Sequence, residues 1–187
     1  AVPNPPARMA YFAGKRAPTS EERRRHYQAG VEAARARLAA DPNAPDGLLW
    51  LAANLGSEAL ERGKIKALGV VKQMESLLLQ LEATSPDYDH AAAARTLARL
   101  YHKAPSIISI GSMKKSREYW ERALSRAGDY PANLVLAADF FDDDGDEARA
   151  KQLAMRYLQK PVSPVDDPDA AEWRQIAVRI AGREAGK

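Results

Sequence analysis

The sequence feature that most constrains the fold is the stretch from residue 91 to residue 124, where a loop separates two amphipathic segments. In the first segment Leu97 and Ala98 are followed, three positions after the alanine, by the aromatic Tyr101. Residues three and four apart share one face of a helix, and a small residue there lets a partner helix approach closely. The second segment repeats the arrangement around Trp120. The pattern predicts a pair of antiparallel helices.

The same pattern recurs further along the chain. Ala138 and Phe141 repeat the small and aromatic residues of the first pair forty positions later, and Gly145 falls in the following turn. The pattern is typical of the tetratricopeptide repeat, a helix pair, but the period of 40 exceeds the usual ~34 residues of that repeat. The surplus residues lie in the loop 103–112, which we interpret as an inserted loop that carries function. We therefore predict an all-α fold, a tetratricopeptide-like helical repeat built as a short solenoid or bundle of antiparallel helix pairs.

Composition excludes several other classes of protein. The chain has 187 residues, of which 45% are hydrophobic, and no stretch shows the alternation of a β-strand. It contains no cysteine, which excludes disulfides and thiolate chemistry. The net charge of +3 is too small to indicate nucleic acid without a basic stripe and stacking aromatics, so we predict no nucleic-acid partner.

We divide the chain into an N-terminal arm and one helical domain. Residues 1–18 are rich in proline and lack periodicity, so we expect an extended arm. Its aromatic residues Tyr11 and Phe12 either pack on the domain or anchor a partner, and we favour packing within the molecule. Residues 19–187 form a single domain, which a capping helix over 168–183 closes. The other predicted helices span residues 20–41, 46–62, 64–83, 90–103, 113–127, 131–142 and 146–159.

A more specific likeness rests on three motifs within residues 45–160. They are the segment from Trp50 to Gly56, the helix end Lys103-Ala104-Pro105, and Ser109-Ile110-Gly111-Ser112 ahead of a basic helix. In these motifs the chain resembles the T component of TRAP transporters, a family of periplasmic tetratricopeptide-like proteins that are often lipoproteins.

The resemblance carries several implications. It implies a bundle of degenerate helical repeats, a trimer with central hydrophobic pores, and docking of a periplasmic solute-binding protein. It further implies that the protein handles apolar or organic-acid ligands in the bacterial periplasm, with a lipid tether upstream of residue 1. The chain departs from the family at Ala91 to Ala94, where relatives tend to carry a glycine-proline pair, so we expect this helix to begin earlier.

Motifs for catalysis or for metal binding are weak. The three histidines, His26, His90 and His102, stand without a carboxylate or a second histidine at the spacing of metal ligands. The acidic run Asp142–Glu147, aligned as an EF-hand loop, would place Phe140 at the first ligand position and Lys151 at the last, where neither can bind calcium. We therefore predict no enzyme, no catalytic residue, no cofactor and no metal.

A binding groove is the better candidate site. In tetratricopeptide helices, positions displaced from the core stripe face the concave surface, and in the helix over 90–103 these are Arg95, Arg99 and His102. Guanidinium groups pair well with carboxylates, so this row could bind an anionic partner; the alternative is a solvated basic face. Trp50 and Asn54 point the same way if the helices stack regularly. The alternative there is that Trp50 belongs to the core.

The inserted loop supplies the last candidate residues. Ile107, Ile108 and Ile110 are apolar side chains in a loop, where exposure to water is unfavourable. We predict that they form a contact surface with a partner or a second subunit. The alternative is that they fill the domain's own core.

These observations together predict a non-enzymatic binding or scaffold protein. The leading interpretation is a protein that associates with a periplasmic solute-binding protein, as the family resemblance implies. The alternative is a general tetratricopeptide adaptor that grips a peptide or a subunit of an envelope complex.

Overall fold

The structure, a computed structural model, describes residues 5–106, 109–160 and 167–182. Over these ranges all regular secondary structure is helical. Within the described residues, no helix combines the length and the apolar character that crossing a membrane requires. In chain order the helices are α1 (Pro6–Arg16), α2 (Ser20–Ala40), α3 (Pro45–Glu61), α4 (Lys64–Thr84), α5 (Tyr88–Lys103), α6 (Met113–Ala127), α7 (Pro131–Asp143), α8 (Glu147–Leu158) and α9 (Ala170–Ala181).

The helices form an inner and an outer layer. Every helix contacts the next one along the chain, and each odd-numbered helix also contacts the next odd-numbered one. Between the described even-numbered helices there are no such contacts. Since neighbouring helices come closest on the inside of a curved array, the odd-numbered helices line its concave side. This is the layer in which a groove was predicted.

The predicted repeat positions are buried where the two helices of a pair meet. Leu97, Ala98 and Trp120 are each 0% exposed, and Tyr101 is 2% exposed. Two apolar clusters share the interior, one in the N-terminal half and one in the C-terminal half, and the partly buried Tyr119 packs against both. The spacing of small and aromatic residues therefore specified which faces are buried.

The N-terminal segment is helical over Pro6–Arg16, so the prediction of an extended arm is wrong for these residues. Proline is tolerated in the first turn of a helix, since the amide hydrogen it lacks would have no intrahelical partner there. Helix α1 then packs on the domain, because the rings of Tyr11 and Phe12 lie 5.5 and 5.9 Å from that of Trp50. The expectation that these aromatics pack within the molecule is confirmed.

The last helix, α9, lies inside the range predicted for a capping helix. It begins at Ala170 rather than at Pro168, because the segment before it forms a turn in which the Asp167 carboxylate accepts from the Asp169 amide at 2.9 Å. Its apolar face packs against α7 and α8. On that face Trp173 is 9% exposed and Ile180 is 2% exposed.

Candidate partner-binding face

The concave face extends from α1 to α9. Helix α1 packs on α2 and α3, and its Lys15 ammonium lies 2.7 Å from a carboxylate oxygen of Asp169, just before α9. Burial disfavours the charged form of Lys15, but the neighbouring Tyr11 and Asp169 outweigh this effect, so the pKa of Lys15 is raised. The first and last helices of the inner layer are thus joined by an ion pair.

Trp50 and Asn54 hold α1 in place. Trp50 is 7% exposed and belongs to the N-terminal core cluster, as the alternative interpretation of this residue proposed. Asn54 is 0% exposed, and its side-chain amide donates to the carbonyl oxygens of Ala7 at 3.1 Å and of Trp50 at 2.7 Å. Both residues therefore contact the N-terminal helix, and neither presents a polar group at the surface of the groove.

The Arg95 guanidinium points into the protein. Its side chain is only 12% exposed, and it donates to the His90 carbonyl oxygen at 3.1 Å and to Asn133 Oδ1 at 2.9 Å. The guanidinium carbon lies 5.0 Å from the ring centre of Tyr130. Burial lowers the pKa of Arg95 below its ordinary value. The donors of Arg95 are therefore engaged within the chain.

Arg95 stabilises an unusual turn at the start of α5, through its hydrogen bond to the His90 carbonyl oxygen. Asp89, His90 and Ala91 have φ angles of 47°, 58° and 60°, which lie in the left-handed region. This conformation costs roughly 1–2 kcal/mol for each residue with a side chain. By its bounds α5 begins before Ala91, as expected, but its regular right-handed part starts only after that residue.

Asn133 completes the support of this turn, and sequence reasoning did not single it out. It is 0% exposed, and its side-chain amide donates to the carbonyl oxygens of His90 at 3.1 Å and Ala127 at 2.9 Å, while its own oxygen accepts from Arg95. It thereby ties α7 to α5 and α6. The sequence feature that could have pointed to Asn133 is its single side-chain amide within a largely apolar helix, since a buried polar side chain needs specific hydrogen-bond partners.

Arg99 differs from Arg95, although it lies one turn further along the same helix. It is half-buried, and among the described residues it makes no hydrogen bond or ion pair. Its charge acts on α1: burial raises the pKa of Tyr11, and the cations Lys15 and Arg99 partly offset that rise. Arg99 is therefore the arginine of the predicted row whose donors are not engaged by other described residues.

His102 turns towards α7 rather than into the groove. Its Nε2 atom lies 2.9 Å from Oδ2 of Asp143, and its ring meets the ring of Phe140 edge to face at 5.2 Å. The neighbouring Lys103 ammonium lies 3.3 Å from Asp139 and 3.4 Å from Asp143. Burial, together with the charge of Lys103, lowers the pKa of His102 below its ordinary 6.5, so the ring is neutral at pH 7.

The inserted loop is described in part. Ile107 and Ile108 lie outside the described residues, so their role as a contact surface stays a prediction. Ile110 is partly buried and packs against the N-terminal core cluster. The loop rejoins the domain through Ser112, whose amide donates to the Tyr101 carbonyl oxygen at 2.9 Å. At Gly111 a side chain would collide with the Ala104 backbone.

A curved array of antiparallel helix pairs, with small and aromatic residues at the pair interfaces, defines the tetratricopeptide-like class of helical repeats. The solved structure of a thermophilic tetratricopeptide-repeat protein from Thermus thermophilus is similar, with a TM-score of 0.62 over 86% of this chain and 79% of that chain. The two sequences are 15% identical. No protein-family model and no curated protein matches the chain. The likeness confirms the predicted fold class.

Proposed function

We propose that this protein is a non-enzymatic scaffold that binds a protein partner on its concave face, beside Arg99. The observation that carries the proposal is the contrast between two arginines on one helix. The Arg95 guanidinium donates its hydrogen bonds to groups within the chain, whereas Arg99 makes no hydrogen bond or ion pair among the described residues. A half-buried guanidinium with available donors is a favourable place for a carboxylate of a partner.

The surroundings of Arg99 favour an anionic group on the partner. Arg95 adds a second positive charge one turn away, and the two guanidinium groups interact electrostatically. The charge of Arg99 also acts electrostatically on Tyr11 of α1. A carboxylate bound at this position would be partly shielded from water, which strengthens a charge-assisted hydrogen bond. An acidic segment of a protein partner fits this chemistry.

We further propose that the partner is a periplasmic solute-binding protein and that the protein works as a T component of a TRAP transporter. The support is the sequence resemblance in the Trp50–Gly56 segment, the Lys103-Ala104-Pro105 helix end and the Ser109–Ser112 motif. A periplasmic location, a lipid tether, a trimer and binding of apolar or organic-acid ligands belong to the same proposal. The fold equally favours a general adaptor that grips an acidic peptide or an envelope-complex subunit.

The test is a binding measurement with a TRAP solute-binding protein encoded in the same genome. Co-elution in size-exclusion chromatography and calorimetric titration would establish binding. Arg99→Ala should then weaken it by about ten-fold or more, since a hydrogen bond to a charged group contributes ~1.5–3 kcal/mol. Arg35→Ala is the matched control, because Arg35 is an exposed cation on α2, in the outer layer.

The outcomes separate the two candidate functions. Binding of acidic peptides but not of the solute-binding protein, with the same loss in Arg99→Ala, would favour the adaptor. If the Arg99→Ala variant binds the partner as tightly as the Arg35→Ala control does, the proposed binding face is contradicted. Arg95 is not suitable for this test, because its removal would leave buried groups without partners and would lower stability.

A further inference from the structure

We propose that His102, Asp139 and Asp143 form a binding site for one divalent first-row transition-metal ion, such as Zn²⁺, which joins α5 to α7. The sequence alone argued against a metal, because no carboxylate stands near a histidine at ligand spacing. The fold supplies both carboxylates from another helix. The proposal is independent of partner binding at Arg99.

The geometry brings one ligand atom from each residue into a small volume. The three atoms all lie within 4.8 Å of one another, and His102 Nε2 is 2.9 Å from Asp143 Oδ2. Ligands about 2.1 Å from a tetrahedral zinc ion are separated from one another by about 3.4 Å. Asp139 and Asp143 are four residues apart on α7 and therefore share a face, so only a change of side-chain rotamer is needed to close the site.

The ligand set suits a borderline metal ion. One imidazole nitrogen and two carboxylates are ligands that zinc, cobalt, nickel and manganese accept, whereas calcium and magnesium prefer oxygen alone. The two carboxylates balance the charge of a divalent ion. The side chain of His102 is only 6% exposed, so its ring is held in place by the surrounding residues. Because the His102 ring is neutral, Nε2 would bind the ion through its lone pair while the single N–H of the ring lies on Nδ1, so binding at the ring releases no proton.

Two cations already neutralise the carboxylates, and the ion must compete with them. Lys103 reaches both carboxylates, but its side chain is 50% exposed, so its ammonium group can move into water. Arg179 lies 3.3 Å from Asp139 and also 3.0 Å from Asp142, so it keeps a partner when it leaves Asp139. Exposed ion pairs of this kind contribute little to stability and can be exchanged.

The experiment is a titration of the tag-free, chelator-treated full chain with Zn²⁺ by calorimetry and with Co²⁺ by visible absorption. The expected result is saturable binding of one ion per chain and a rise in melting temperature. His102→Ala should weaken binding by at least about 100-fold, since even indirect ligand contacts are worth ~10–100-fold. His26→Ala is the control, because His26 is an exposed histidine outside the cluster. The affinity of this variant for the metal ion should equal that of the parent protein.

A second variant tests the competition directly. Lys103→Met removes one unit charge about 4 Å from the site and should tighten Zn²⁺ binding by about thirty-fold, the effect of such a charge on a divalent ion in water. If His102→Ala fails to fold, Asp143→Asn carries the same test, since Asp143 is 50% exposed. Absence of saturable binding at micromolar Zn²⁺, or an equal loss in His26→Ala, would overturn the proposal.

Discussion

The left-handed turn at the start of α5 allows a prediction in which two identical substitutions differ because of backbone conformation alone. Ala91 and Ala94 are 1% and 0% exposed on the same helix. Ala91 has a φ of 60°, whereas Ala94 lies in the right-handed part of α5. We compare Ala91→Gly with Ala94→Gly. Both changes remove one buried methyl group, which costs about 0.8 kcal/mol in each case.

The backbone contributions differ in sign between the two sites. Glycine at position 94 costs a further ~0.8–1.0 kcal/mol in helix propensity, for a total near ~2 kcal/mol. Glycine at position 91 relieves a left-handed conformation that costs ~1–2 kcal/mol. It also loses ~0.5–1 kcal/mol through the greater entropy of the unfolded chain. The relief therefore nearly cancels the losses, and the net change at Ala91 should be close to zero.

The assay is urea denaturation followed by far-ultraviolet circular dichroism, with unfolding free energies extrapolated for the parent and both variants. We expect Ala91→Gly to be more stable than Ala94→Gly by about 1–2 kcal/mol, the cost assigned to the left-handed conformation. Equal destabilisation by the two substitutions would show that residue 91 is not left-handed in solution. Arg95 and Asn133 would then have no strained turn to stabilise.

Two further predictions concern the last helix and the inserted loop. Trp173→Ala should cost roughly 3–5 kcal/mol of stability, because the ring is buried between α9 and the preceding pair. The control is Val178→Ala on the same helix, which should change stability little because Val178 is 52% exposed. A denaturation midpoint of Trp173→Ala equal to that of the control would refute the sealing role of α9. Replacing Ile107 and Ile108 together with serine should change the oligomeric mass or partner binding, measured by light scattering, while the melting temperature is retained. A cooperative loss of folding with unchanged association would instead assign these isoleucines to the core.

Most of the fold could be predicted from local sequence, since its signals repeat at helical spacing. A threonine followed three residues later by a glutamate is the pattern of a capping box, and Thr19 and Glu22 form one at the start of α2. The small and aromatic residues of each pair were predicted as buried, and they are. Such signals depend on residues within one helix or one helix pair, so no knowledge of the whole chain is needed to interpret them.

The candidate site was harder to predict, because side-chain direction depends on neighbours distant in sequence. Arg95 and Arg99 are equivalent by helical spacing, yet Asn133 on α7 draws Arg95 inwards and leaves Arg99 at the groove. The prolines before α1 indicated an extended arm, yet the helix forms because the aromatic surface around Trp50 receives it.

The sequence by itself determined an all-helical chain of paired repeats, because hydrophobic periodicity is a property of each segment alone. Only the tertiary structure decided which polar side chains meet. His102 has no acidic neighbour at ligand spacing in the sequence, yet the packing of α5 against α7 brings its ring to Asp139 and Asp143. The physical reason is that a helix fixes the face on which a residue lies, whereas the partner of that face is fixed by how the layers pack.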